Sequence, residues 1–480
     1  MRKYLPIIII VCVLLTMVGC SSTNEDLMLY FELSSTPDTI DPQKAQTNSE
    51  LMVASNLFEG LMRLDNNGKI CCGCAENYTK NGNTYTFTLR NNLCWDDDTP
   101  LTADDVIFGL KRAISSDTAC PFAQRFFIIK NAESYYNGSC DFEKVGINEL
   151  NENCISITVK DDGCDLLSAL ATPAAAPCNE AFFNSCKGSY GRKKESILCN
   201  GSYYLAKWNT TTFGIRIKRN AQYIGEFTSK NGGVFFSCTD DAYTQLQKNY
   251  VDMAYLSGSD AKSALNEGYS YIQGENVAYI VRIGENIPKA LRHALYCAYT
   301  TESYKDGLSL GYREADSFFP KLTGKTDIKF SFDYNEQTAL NYYKSAGDLY
   351  PDGMPVIKIY YYGSAEIKSA VTDLAARWQK VLSATVNIEY SKYELSSSYY
   401  EKSAVNIYPI EYYGLEWEYL TAIEDKSASD FTSLTQKLSS DYIYMPFLFE
   451  SKLMYYTESV SAPAFNTCDC TVDFAFIEKH

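Results

Sequence analysis

Hydrophobic and polar residues follow two different periods along the chain. Between residues 84 and 89 every second residue, Tyr85, Phe87 and Leu89, is apolar, and a threonine precedes each of them. Strict alternation of this kind predicts a strand with one buried face. The apolar run 27–33 predicts another strand, and leucines at helical spacing predict a helix over residues 48–64.

Two later segments each predict a strand, a helix and a second strand. The first comprises residues 234–236, a helix that begins at 240, and 251–256; the second comprises 356–362, 366–382 and 385–390. A helix between two strands usually joins parallel neighbours of one sheet. The pattern therefore predicts an α/β protein in which mixed sheets are flanked by helices. No proline- or glycine-rich linker divides the chain, so we expect its lobes to exchange segments.

The first twenty residues have the pattern of an export signal. Two basic residues precede an apolar stretch, 5–18, which is shorter than the ~20 residues that a membrane-spanning helix needs. Gly19 and Cys20 then complete a sequence that resembles a bacterial lipobox, in which the signal is cleaved before a cysteine that carries lipid. We therefore predict a signal peptide over 1–19, lipid on Cys20 and a tether over 20–26. The alternative is an ordinary secretory signal in which Cys20 has no role.

The composition limits the classes of function. The chain has 480 residues, enough for roughly three domains of typical size. Its formal net charge is −16, which argues against a nucleic-acid-binding protein because such proteins carry a basic face. Its two histidines are His293 and His480, and it contains no G-x-S-x-G, H-E-x-x-H or phosphate-loop motif. We therefore predict no cofactor, no metal site and no catalytic residue.

Cysteine is abundant, with 17 residues. Cys12 lies in the predicted signal and Cys20 is the predicted lipid site, which leaves an odd number that cannot all pair in disulfides. Cys71, Cys72 and Cys74 form a close cluster, but their spacing differs from the C-x-x-C of zinc sites. We expect most of the thiols to be free and buried, where cysteine behaves as a small hydrophobic residue.

A series of short segments resembles one family of transport proteins. The segments are residues 40–45 (IDPQKA), 56–61 (NLFEGL), 85–90 (YTFTLR), 99–106 (TPLTADDV), 111–113 (KRA), 200–205 (NGSYYL) with Trp208, 289–295 (KALRHAL) and 476–480 (FIEKH). In this order they resemble the oligopeptide and dipeptide substrate-binding lipoproteins of bacterial ABC transporters, the family 5 extracellular solute-binding proteins. The likeness covers nearly the whole chain after the predicted signal.

The resemblance implies a periplasmic-binding-protein-like fold, a two-lobed clamp with an extra domain that closes on an extended peptide. It divides the chain into a first lobe of residues 27–58, 180–272 and 451–480, an extra domain of residues 59–179, and a second lobe of residues 273–450 that is short for the family. It also implies a protein held by lipid on the extracytoplasmic face of the cell membrane, which delivers peptides to the permease subunits of an ABC transporter. We expect a monomer.

Three residues match positions that contact ligand in the family. Thr47 and Asn48 match the loop after D-P-Q-K that touches the ligand backbone, and Phe122 matches an aromatic residue of an S-P-Y-A segment. The alternative for each is structural: a capped loop for Thr47 and Asn48, and a core position for Phe122.

The family holds the α-amino group of the peptide with an Asp in a G-W-x-A-D-Y-like stretch, and this sequence has no Asp there. Residues 408–418 read YPIEYYGLEWE. The resemblance therefore implies that Glu411 or Glu416 supplies the negative charge. Trp417 is a further candidate for ligand contact, with a position in the core or at the rim as the alternative.

Other functions stay open at the level of the sequence. Related proteins bind nickel complexes or oligosaccharides; the scarcity of histidine argues against nickel, whereas tyrosine and tryptophan surfaces would suit a sugar. A degenerate relative could act as a surface receptor, because the second lobe is short. A surface hydrolase with a pair of carboxylates is another alternative, although no motif singles out such a pair among the 59 acidic residues.

Overall fold

Helices and strands are mixed along the whole chain, as its hydrophobic pattern predicts. The computed structural model describes residues 27–163, 165–209, 211, 213–324, 327–392, 395–396, 399–412, 431–466 and 470–480. The α-helices in these ranges are α1 (Asn48–Leu57), α2 (Ala103–Ala113), α3 (Ala132–Tyr136), α4 (Leu166–Leu170), α5 (Glu180–Ser185), α6 (Ala242–Gln247), α7 (Gly258–Asn266), α8 (Lys289–Cys297), α9 (Glu336–Gly347), α10 (Ala365–Leu382) and α11 (Phe431–Ser440).

The strands of the described residues are short in the first half of the chain and include two long ones in the second. The first nine are β1 (Met28–Glu32), β2 (Met62–Leu64), β3 (Ile70–Cys72), β4 (Ala75–Asn81), β5 (Thr84–Leu89), β6 (Ile147–Asn151), β7 (Cys154–Thr158), β8 (Tyr203–Asn209) and β9 (Gly214–Arg219). The others are β10 (Gly233–Ser237), β11 (Met253–Tyr255), β12 (Ser270–Ile283), β13 (Tyr312–Glu314), β14 (Ile357–Tyr361), β15 (Val386–Tyr390), β16 (Val405–Glu411) and β17 (Tyr444–Tyr456).

One mixed sheet of 11 strands runs through the described part of the molecule. Its order is β15-β14-β16-β12-β17-β11-β1-β10-β9-β8, with β13 beside β17. β1 is parallel to both β10 and β11, and β14 is parallel to both β15 and β16. Each predicted strand–helix–strand segment thus contributes parallel strands to this sheet. The predicted α/β fold class is confirmed.

Two smaller antiparallel sheets lie between β1 and β8 in the sequence. β2 pairs with β3, and a second sheet has the order β4-β5-β7-β6. On β5 the side chains of Tyr85, Phe87 and Leu89 are buried and the intervening threonines are partly exposed, as their alternation predicts.

The apolar core forms two large clusters. One cluster spans residues from Leu29 to Ile477 and includes buried side chains between positions 59 and 179, such as Phe87 and Leu110. The other spans residues from Val277 to Phe449, which lie inside the predicted second lobe. The exact limits of the lobes and of the extra domain stay predictions.

The helix predicted over residues 48–64 ends earlier than expected. α1 ends at Leu57, and Phe58 is extended with φ −126° and ψ 149°. Asn200 binds the backbone of Glu59 on both sides: its Oδ1 accepts from the Glu59 N–H at 3.2 Å, and its Nδ2 donates to the Glu59 carbonyl at 2.8 Å. The Gly201 N–H also donates to the Leu57 carbonyl, at 2.9 Å. These contacts from a distant segment outcompete the helical hydrogen bonds that the local spacing favours.

Asp41 and Arg112 join the segment before α1 to α2 in the core. The Arg112 guanidinium donates to both carboxylate oxygens of Asp41, at 2.5 and 3.2 Å, and it lies 4.2 Å from the ring centre of Phe183. The Arg112 side chain is 5% exposed and the Asp41 side chain is 2% exposed. Gln43 donates through Nε2 to the carbonyl of Ala176 at 2.9 Å, in the same layer. Two of the family-like residues of the 40–45 segment therefore have structural roles.

The cysteines within the described ranges are not joined by disulfides. Six of these 13 cysteines are buried, among them Cys74, Cys178 and Cys199, and seven are partly exposed, so the thiols are free as predicted but fewer of them are buried than expected. Burial raises the pKa of the Cys178 thiol to about 12, which keeps it protonated at neutral pH. In the same ranges, no helix combines the length and the apolar character that crossing a membrane requires.

The Asp41–Arg112 pair gives a stability prediction. Asp41→Asn would leave the buried Arg112 charge without its counter-charge, and breaking a buried pair in this way costs about 3–5 kcal/mol. We expect the free energy of unfolding, measured by urea denaturation, to fall by this amount.

Asp441→Asn is the matched control, because Asp441 pairs with Lys289 at 3.3 Å while both side chains are more than half exposed. An exposed pair contributes at most about 1 kcal/mol. Equal effects of the two substitutions would show that the buried pair does not hold α2 in place.

Candidate functional site

The two longest strands, β12 and β17, each change from apolar to polar in the middle. On β17, Phe449 belongs to one apolar cluster and Met454 to the other, with Glu450, Ser451 and Lys452 between them. On β12 the polar residues 273–276 lie opposite, in antiparallel register. The two strands thus cross from one core to the other through a polar segment, which we call the polar crossing (residues 273–276 and 450–452).

Asn276 marks an irregularity in the polar crossing. The pairing of β12 with β17 shifts between Glu275 and Val277, so Asn276 is an extra residue of a bulge. Its side chain is fully buried, and its Nδ2 donates to Glu411 Oε1 at 3.2 Å. Its Oδ1 has no hydrogen-bond partner. The bulge aims this amide at the last residue of β16.

Glu411, one of the two acids predicted to hold an amino group, lies at this position. Lys452 Nζ is 3.3 Å from Glu411 Oε1, and the two side chains are 31% and 29% exposed. β12 lies between β16 and β17, so the Lys452 side chain must cross β12 to reach Glu411. The residue of β12 that pairs with Lys452 is Gly274, which has no side chain to block the way. A Cβ at Gly274 would come within 2.6 Å of Cys470 Sγ and 2.9 Å of Phe465. Glycine therefore permits the packing on this face.

A second acid, Glu450, lies on the same face of the sheet as Lys452, because residues two apart on a strand point the same way. The hydroxyls of Tyr279 and Tyr312 donate to its carboxyl group. Burial raises the pKa of Glu450 and the charge of Glu411 adds to this rise, whereas Lys452 and the two hydroxyls lower the pKa; the net shift is upward. Burial is the largest single influence on Lys452 and disfavours its charged form, but Glu411, Cys470 and Glu450 together outweigh it, so the pKa of Lys452 is raised.

The other face of the polar crossing is held by a fork of two hydrogen bonds. Arg313 on β13 donates to Glu275 through Nε at 2.7 Å and through Nη2 at 2.9 Å. The Lys321 N–H also donates to Glu275, at 2.9 Å. The guanidinium of Arg313 lies 4.3 Å from the ring centre of Phe449. One face of the crossing thus holds an ion pair whose acid is buried, whereas both members of the Glu411–Lys452 pair on the other face are partly exposed.

Thr47 and Asn48 lie at the start of α1. Thr47 is its N-cap, and its hydroxyl accepts from the Glu50 N–H at 3.3 Å. The Glu50 carboxylate accepts in return from the N–H groups of Gln46 and Thr47, at 2.9 and 3.0 Å. The loop is therefore capped as the structural alternative predicts, while Thr47 remains exposed. Ligand contact by Thr47 and Asn48 stays a prediction.

Phe122 is buried in the core that contains α2. The Arg125 guanidinium lies 4.4 Å from its ring centre. This agrees with the core position offered as the alternative, and a ligand contact of Phe122 stays a prediction. Glu416 and Trp417 lie in residues 413–430 and Cys20 lies in residues 1–26, both outside the described residues.

The sequence reasoning missed Asn276, Glu450 and Lys452. Their signal was available: the polar runs QGEN at 273–276 and ESK at 450–452 interrupt two otherwise apolar strand patterns. What the sequence could not show is that these interruptions lie opposite one another and beside the end of β16. The described residues include no group of three His, Cys, Asp or Glu that could hold a metal ion.

Comparison with known proteins agrees with this architecture. The chain is 31% identical over 193 residues to the probable deoxycholate-binding periplasmic protein YgiS of Escherichia coli. The matched region covers 39% of this chain and 36% of that protein. It is 24% identical over 325 residues to a dipeptide-binding protein of Lactococcus lactis, covering 65% of this chain and 58% of the relative. The matched regions thus span between about a third and three fifths of these relatives.

The fold is also found in solved structures. That of Listeria monocytogenes OppA bound to peptide superposes with a TM-score of 0.74, covering 95% of this chain and 99% of the other at 18% identity. This likeness shows the two-lobed periplasmic-binding-protein fold. Residues 72–418 match the sequence model of the bacterial extracellular solute-binding proteins, family 5 Middle, and the chain therefore belongs to that family.

Proposed function

We propose that the protein is an extracellular solute-binding protein that captures peptides and delivers them to an ABC importer. The observation that carries the proposal is the solvent-accessible carboxylate of Glu411 at the polar crossing, where the chain passes from one core to the other. A negative charge in this position suits the ammonium group of a peptide. The family, and the relatives named for peptides, support this choice of ligand.

The fold offers a physical route to peptide binding. β12 and β17 are shared by both cores, so a change of backbone angles at the polar crossing would rotate one lobe against the other, as in hinge closure of binding proteins. A peptide enclosed between the lobes can satisfy its backbone by strand-like hydrogen bonds, while pockets accept varied side chains. Binding by this route needs no chemistry on the ligand, and we infer that the protein is not an enzyme.

A different solute is the second candidate. The relative with 31% identity is named as a probable deoxycholate-binding protein. An anionic steroid would find Lys452 already paired with the Glu411 carboxylate and the acid Glu450 beside it. The arrangement therefore favours a ligand that brings a positive group. An oligosaccharide, and a role as a surface receptor, stay alternatives that ligand identification separates.

The export signal and Cys20 extend the proposal to location. We infer that the protein is tied by lipid on Cys20 to the extracytoplasmic face of the membrane and meets the permease there as a monomer. Several acyl chains on one residue anchor a protein stably, since each buried methylene contributes ~0.8 kcal/mol.

Cys20→Ala should abolish lipid attachment and move the protein from the membrane fraction to the soluble fraction or the medium. Fractionation with detection by antibody measures this, and Cys12→Ala, inside the predicted signal, is the matched control. Retention of Cys20→Ala on the membrane would refute the anchor.

The amino-end contact gives a second prediction. Glu411→Gln, or Glu416→Gln, should weaken binding of an oligopeptide by ~2–5 kcal/mol, because an ammonium group in a closed cleft then lacks its counter-charge. The melting temperature of the free protein should change little, since Glu411 and Lys452 form a half-exposed pair. Isothermal titration calorimetry measures the affinity.

The N-acetylated form of the same peptide is the control ligand. Acetylation should greatly reduce the affinity of the wild-type protein and should have a much smaller effect on the variant at the contact position. If both Gln variants bind as the wild type does, or if acetylation has no effect, the amino-end contact lies elsewhere or the ligand is not a peptide.

A further inference from the structure

Glu411 is already bound to a cation within the protein. Lys452 Nζ lies 3.3 Å from its carboxylate, and Asn276 donates to the same oxygen at 3.2 Å. An ammonium group that enters the cleft must therefore compete with Lys452 for Glu411. A tight contact with the ligand requires that Lys452 find another partner.

Glu450 is suited to be that partner. It lies two residues before Lys452 on β17 and on the same face, within reach of a flexible lysine side chain. The hydroxyls of Tyr279 and Tyr312 donate to its carboxyl group and would stabilise its negative charge. Tyr312 also lies 3.2 Å from Ser364 Oγ at the start of α10, so this acceptor site is built from several elements.

We propose that Lys452 is an internal cation that occupies Glu411 in the empty cleft and moves to Glu450 when the ammonium group of a peptide takes its place. The inference rests on the proposed function and names the residue that sets how selectively Glu411 accepts an ammonium group. Lys452 is a positioning and specificity residue in this scheme, and it does not contact the ligand.

The exchange has a consequence for protons. In the empty protein burial raises the pKa of Glu450, while Glu411 and Lys452 form an ion pair beside it. After the exchange, Glu411 pairs with the ligand ammonium and Glu450 pairs with Lys452 as a carboxylate. Any proton that Glu450 carries in the empty protein then leaves for the solvent, and the charges otherwise balance. Binding that releases a proton becomes tighter as the pH rises through the pKa of that group.

The titratable and charged groups around Glu450 come from several strands and one helix. Tyr279 on β12, Tyr312 on β13, Glu411 on β16 and Lys452 on β17 act on it directly. Glu366 of α10 acts on Tyr312, and Cys470 acts on Lys452. Among these, Glu450 is the acid whose titration the exchange would alter.

The test uses tetraalanine and its N-acetylated form as probes, with isothermal titration calorimetry in two buffers of different ionisation enthalpy. Lys452→Met should bind tetraalanine roughly two- to fivefold more tightly, because a half-exposed competing pair is removed. Glu450→Gln should bind it more weakly by a similar factor and should release no proton. The wild type should release protons on binding, and fewer of them as the pH rises above the raised pKa of Glu450.

Lys402→Met is the matched control, since Lys402 pairs with Glu285 at 3.7 Å on the exposed surface. It removes one positive charge and should leave both affinity and proton release unchanged. Equal or weaker binding by Lys452→Met, with a wild-type melting temperature, would overturn the inference. Proton release that persists in Glu450→Gln would do the same. A wild type that binds neither probe contradicts the proposed function instead.

Discussion

The continuous pairing of β12 with β17 is the constraint on which the rest of the structure depends. These strands remain hydrogen-bonded from Ser270 to Arg282, through both apolar clusters. The strands of each lobe add outward from this pair, β16 and β14 on one side and β11 and β1 on the other. Because the two cores share a backbone ladder, a change in the relative orientation of the lobes is easiest where that ladder is irregular. Its register shifts at Asn276 and again between Tyr279 and Ile280, and the shift at Asn276 lies between the two apolar clusters.

The two ion pairs of the polar crossing differ in how readily they change partners. Glu275 and Arg313 form a fork whose acid is almost fully buried, and such a pair resists rearrangement because Glu275 alone would be a buried charge. Glu411 and Lys452 are half-exposed, so water can replace either partner at small cost. The proposed contact with the ligand lies on the face where charges can exchange partners without loss of the fold.

The sequence predicted most of the scaffold because periodicity reports burial directly. β5, α10 and the two parallel crossovers follow from alternation and from apolar stripes such as that of Ile367, Val371 and Trp378, all of which are buried. The end of α1 could not be predicted, because Asn200 terminates it from a position far away in the sequence. Local pattern cannot anticipate a competitor that only the tertiary fold brings near.

The candidate site was predicted in part, and for a different reason. Resemblance to the family indicated Glu411, and the structure places it at the polar crossing, but family-like residues such as Asp41 and Gln43 have structural roles in the described core. Segments that maintain a fold identify the family without identifying its ligand. Lys452 and Asn276 follow from register and a bulge, which depend on long-range pairing.

Native mass spectrometry of the protein, as purified and after incubation with a mixture of short peptides, tests most directly whether the cleft holds a peptide. The account predicts complexes of one protein with one peptide, whose released ligands have the masses of intact peptides with free amino ends. A bound species with the mass of a steroid or an oligosaccharide, peptides shortened at a fixed bond, or no complex under either condition would contradict it.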